Sequence, residues 1–133
     1  METTNLKNTF LLGASLNILH QESKEWMDAI EFWKDETKFF DSLLHKKKPE
    51  DEDKELHAQL IVSLKNVSLD LLEELEDDVK EHEKLLARLM KESKGISDWE
   101  YRESHRKLKK RFDKINEDFN SFKKLIFTYV KSL

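Results

Sequence analysis

The chain has no cysteine, one proline and two glycines. The missing thiols exclude disulfides, thiol catalysis and thiolate metal sites. So little Gly and Pro leaves almost no punctuation for hairpins and short strands. No segment approaches the roughly 20 apolar residues needed to span a bilayer, so no membrane partner is expected. There is no Gly-framed Ser and no Gly-rich phosphate loop, which leaves nucleophilic catalysis without support and points away from an enzyme. Nor is there an excess of one charge: the net charge is −4 with both signs mixed along the chain. No overall field therefore favours nucleic acid. The basic run RKLKKRF at 106–112 is flanked on its own helix by Glu100, Glu103, Asp113, Glu117 and Asp118. A solvated face with i, i+4 ion pairs accounts for it better than a nucleic-acid contact.

Charged residues are 39% and hydrophobic residues 38%, with eight Phe and three Trp. At 133 residues, that balance describes one domain over 1–133, with long helices each burying one face. The clearest stripe runs Tyr101, His105, Leu108, Phe112, Ile115, Phe119, Phe122, Ile126, Tyr129, Leu133. Its alternation of four and three is the seam of a helix packed lengthwise on others. A second seam reads Leu56, Leu60, Leu64, Val67, Leu71, Leu75, Val79, His82, Leu86, Leu89. A third reads Leu19, Ser23, Trp26, Ile30, Trp33, Thr37, Phe40, Leu44, widened by Ala29, Phe32, Phe39 and Leu43.

Boundaries follow from charge and capping. Lys46, Lys47 and Lys48 suit a helix C-terminus, and Glu50, Asp51, Glu52 and Asp53 the start of the next, with Pro49 in its first turn. Gly95 suits a left-handed helix end, and Ser97 with Glu100 a capping box. The expectation is an all-α antiparallel bundle of three long helices over 20–46, 50–92 and 98–132. Residues 1–19 either extend the first helix or form a short fourth one. FLLGASLNIL behind Lys7 only imitates a signal peptide, since Ser15 and Asn17 interrupt it, so a cytoplasmic location is expected.

Two seams contain a histidine where an apolar residue would do. Antiparallel registers place His20 level with Asp77 and Asp78, His82 with Lys107 and Leu108, and His105 with Leu85. His20, Glu22, Asp78, His82 and His105 thus form a candidate layer, with Asp78 and His82 sharing a helix face. Imidazoles and carboxylates in a bundle core can hold Fe, Zn or Cu. In that respect the chain resembles ferritin-like and hemerythrin-like bundles. It lacks their spacings, because Val79 and Arg102 stand where a Glu-x-x-His pair needs Glu, so no membership is claimed. Against the metal stands the plainer reading of seam histidines as core residues with satisfied hydrogen bonds. His57 reads as core or edge packing near Phe40, and His45 as a cation at a helix C-terminus.

The aromatic width of the first helix exceeds what two neighbours cover. With Phe10, Leu11, Leu12, Leu16, Val62 and Leu69 it marks a self-association surface. The expected function is therefore that of a soluble, non-enzymatic bundle acting through protein contacts, as a homo-oligomer. A metal-binding bundle is the alternative, and a nucleic-acid accessory protein a weaker one.

Overall fold

The structure, a computed structural model, describes residues 15–91 and 97–133. Helix α1 spans Ser15–Lys46. A 3-10 turn, Asp51–Asp53, leads into α2, Lys54–Asn66; a π-helical segment, Val67–Leu72, joins α2 to α3, Glu73–Met90. Helix α4 spans Asp98–Lys131. The backbone stays helical through both junctions of the π segment, so α2 and α3 make one rod. Three rods thus run up, down and up as a bundle, with no strand among the described residues. No described helix is long and apolar enough to cross a membrane.

The first rod starts earlier than its seam required. Residues 15–19 belong to α1, and Leu19 is buried. Residues 1–14, where a fourth helix was one expectation, and Gly95 lie outside the described residues. Lys46 ends α1 and the acids Asp51, Glu52 and Asp53 open the next rod, each at the dipole end that favours it. Pro49 stands in the turn ahead of that rod, not within its first turn. At α4 the Ser97 hydroxyl accepts the Glu100 N–H at 3.0 Å, completing one half of the capping box.

Every residue of the α1 seam from Leu19 to Leu44 is buried. It packs three apolar layers. Leu19, Leu86 and Tyr101 form one end; Trp26, Ile30, Trp33, Leu75, Val79 and Phe119 the middle; Phe40, Leu44, Leu60, Leu64, Ile126 and Tyr129 the other end. His57 is core, as its position implied. Its ring meets the Tyr129 hydroxyl at 2.7 Å and the Leu44 carbonyl at 2.6 Å, tying all three rods together at that end.

The middle rod corrects the expected seam. Leu71 is 43% exposed and Leu72 is fully buried; likewise Leu56 is exposed and His57 buried. A π turn accommodates one residue more than an α turn, because its hydrogen bonds reach i+5. The inward face therefore steps five from Val67 to Leu72, and three-four spacing resumes at Leu75. Phe112 and Phe122, expected in the core, are only half-buried, while Phe32, Phe39 and Val62, read as surplus apolar surface, are exposed.

These assignments separate neighbours in the chain. Leu72→Ala should cost about 2–5 kcal/mol of stability, whereas Leu71→Ala should stay within about 0.5–1 kcal/mol. Phe119→Ala, deleting a ring tilted against Trp33 at 5.8 Å, should cost about 3–5 kcal/mol. Urea unfolding of the three variants measures all of this, and equal losses at 71 and 72 would contradict the π-shifted face.

Candidate functional site: a buried histidine layer

Between the end layer around Tyr101 and the middle layer around Trp26, the core turns polar. α3 supplies His82, α4 supplies Ser104 and His105, and α1 supplies Glu22 and Ser23. His82 and His105 are both buried. His82 Nε2 lies 2.9 Å from His105 Nδ1, His105 Nε2 lies 2.9 Å from Glu22 Oε1, and His82 Nδ1 lies 3.1 Å from Ser104 Oγ. Lys109 Nζ reaches the other Glu22 oxygen at 3.4 Å.

The network assigns the protons. An ionised carboxylate only accepts, so His105 must carry its N–H on Nε2. Neutral His105 then presents a lone pair at Nδ1, which accepts from His82 Nε2–H. His82 Nδ1 is left as an acceptor for the Ser104 hydroxyl. The direction is Ser104 to His82 to His105 to Glu22, and every ring nitrogen is satisfied with both imidazoles neutral. Burial favours the same state. It pushes His82 down to about 4, with a smaller contribution from the charge of His105. Burial also lowers His105, although Glu22 opposes it. Flat rings enclose the pair. Tyr101 stacks on His82 at 4.5 Å and 5°, and Trp26 stacks on His105 at 4.6 Å and 28°.

A second polar group adjoins the layer toward the bundle end. His20 Nδ1 is 2.6 Å from Glu83 Oε2, but off the direction of a ring hydrogen bond, so it is a close polar contact rather than an aligned bond. Among the described residues, buried Glu83 Oε1, the Tyr101 hydroxyl and the Ser23 hydroxyl have no hydrogen-bond partner. Burial, reinforced by Glu83, pushes the Tyr101 phenol well above its ordinary range; the neighbouring Ser23 hydroxyl opposes this slightly without reaching hydrogen-bond geometry. On the other side, His82 and Ser104 reach the wall of a groove of about 670 Å³ between α3 and α4. Trp99, 70% exposed, stands on its rim.

Of the five residues expected in a layer, the fold brings three into one chain of bonds: Glu22, His82 and His105. His20 pairs with Glu83 instead of standing level with Asp77 and Asp78. The extended stretch and 3-10 turn after Lys46 move the turn's centre along the chain, and the π segment adds a residue. Asp78 turns into the groove and pairs with Arg111. Among the described residues, no three His, Asp or Glu side chains are grouped to hold a metal ion. Ser104, Trp26 and Glu83 escaped the sequence reading. Ser104 adjoins His105 in the sequence, but nothing there singles it out, and the role of Trp26 looked purely apolar.

Compared with family models, curated proteins and solved structures, the chain matches none of them.

A buried histidine whose folded pKa lies below its unfolded value stabilises the fold only at higher pH. Below about 6.5 the unfolded chain binds a proton that folded His82 refuses until about pH 4. Stability should therefore fall by up to about 3 kcal/mol between those values, with His105 adding in the same direction. The double variant His82→Leu/His105→Leu should lose much of this slope and match or exceed the parent at neutral pH, since both partners become apolar. Urea unfolding at several pH values checks it, and an unchanged acid slope in the double variant would contradict the assignment.

Proposed function

We propose that this chain is a soluble, non-enzymatic helical bundle that acts through protein contacts, beginning with contacts between its own copies. One observation carries the reading. Phe32 and Phe39, at 62% and 57% exposed, stand seven residues apart on α1 and therefore share one outward face. Large apolar side chains in solvent at regular spacing indicate an interface. The surface continues through rings, since Phe39 meets Phe40 edge-on at 5.5 Å and Phe40 meets Phe127, itself 46% exposed, at 5.0 Å. Sedimentation velocity over a wide concentration range should show reversible association. Phe32→Glu/Phe39→Glu should shift it to monomer without loss of helical signal. A monomer at every concentration would refute self-association.

A second reading, metal binding, rests on one contact. The facing nitrogens of His82 and His105 are 2.9 Å apart, close enough to share a transition-metal ion such as Zn, Fe or Cu if Glu22 turned toward it. Elemental analysis of untagged protein purified without chelator tests this reading. Metal well below one equivalent, with no uptake of added zinc, would leave the layer as a hydrogen-bonded core element.

A further inference from the structure

We infer that two copies of the chain pair through α1 in antiparallel, two-fold fashion, with Phe32 of each copy against Phe39 of the other and Glu25 of each against Lys46 of the other. This rests on the self-association reading and specifies its geometry.

The surface is self-complementary only in that arrangement. Glu25, Phe32, Phe39 and Lys46 follow one another at intervals of seven, so they lie along one face of α1. All four are exposed. Among the described residues, neither Glu25 nor Lys46 has an ion-pair partner, so both are free to pair across an interface. An isologous interface requires that residue i meet j while j meets i. A two-fold axis between Asp35 and Glu36, midway between the phenylalanines, meets that condition four times over. Glu25 reaches Lys46 and Phe32 reaches Phe39, while the exposed Asp35 of one copy comes level with Glu36 of the other. Glu36, beside the axis, is already neutralised by Lys123 at 3.1 Å. Parallel pairing would instead oppose Glu25 to Glu25 and Lys46 to Lys46, which like-charge repulsion disfavours. A seven-residue spacing drifts slowly around a straight helix, and a shallow left-handed crossing keeps both rings in contact.

The absence of native cysteine makes the geometry testable by cross-linking. Two full-length variants, Glu25→Cys and Lys46→Cys, are mixed and oxidised under conditions where the parent associates. Antiparallel pairing yields the mixed disulfide far in excess of either homodimer; parallel pairing yields the two homodimers and overturns the inference while leaving self-association intact. Charge reversal gives an independent readout. Glu25→Lys should weaken association at low salt by about tenfold or more, and adding Lys46→Glu to the same chain should restore most of the loss, since the pairs then re-form with signs exchanged. Phe32→Ala/Phe39→Ala should weaken it by at least about thirtyfold. Association that persists through both the charge and phenylalanine variants would place the interface elsewhere and overturn this geometry alone. A parent protein that never associates would overturn both readings together.

Discussion

The bundle depends on the ring-on-ring packing that joins α1 to α4. These two rods run parallel and meet mainly through large side chains. Trp26 stacks on His105 and Phe112, Trp33 on Phe112 and against Phe119, and Phe40 meets Phe127 edge-on. Aromatic pairs of this kind contribute about 0.5–1.5 kcal/mol each beyond their buried area. The ladder sets the spacing of the two rods, and the rod made of α2 and α3 closes the remaining side. The histidine layer is one rung of it, because His105 stacks on Trp26 as a phenylalanine could. The exposed Phe39 is its outer edge, reached through Phe40.

A polar rung in an apolar ladder has an energetic cost that the relay largely offsets. Two neutral imidazoles with every nitrogen bonded lose far less on burial than unpaired ones would. The arrangement also selects a register. Sliding α3 by one turn against α4 would part His82 from both His105 and Ser104 and leave buried nitrogens unpaired, a cost of roughly 1–3 kcal/mol each. Apolar seams tolerate such slips more readily, because leucines a turn apart are nearly interchangeable. His57, bonded to Tyr129 and Leu44, acts likewise at the opposite end. The core is thus pinned near both ends by directional bonds and filled between them by non-directional packing.

The relay also links two environments. Its Ser104 end reaches the groove beside Trp99, and its Glu22 end lies beside Lys109 on the α1–α4 flank. One added proton can sit on His82 Nδ1, so that this ring donates both to Ser104 Oγ and to His105 Nδ1. A second would set two imidazolium rings 2.9 Å apart. Glu22 lies one turn from Glu25, so the histidine layer and the proposed pairing face occupy the same stretch of α1.

Much of this was legible in the linear pattern. The seams of α1 and α4, the start of α4 at Ser97, the Lys-to-acid turn and the meeting of His82 with His105 follow from periodicity, capping and helix rise, which are local or nearly so. The sequence could not place the burial of Leu72 over Leu71, because a π turn is tolerated only where tertiary packing compensates its poorer geometry. It could not pair His20 with Glu83, because small uncertainties in a turn become several residues of register farther along the rods. It flagged Phe32 and Phe39 as surplus to the core from the width of the stripe, but not how far each is exposed, since an apolar side chain at the edge of a seam reads the same whether a neighbouring rod covers it or not. Composition and spacing determined that three rods form and which stripe of each is apolar. Only the tertiary structure decided how far each rod slides and turns against the others, because that is set by the fit of rings and hydrogen bonds across rods distant in the chain.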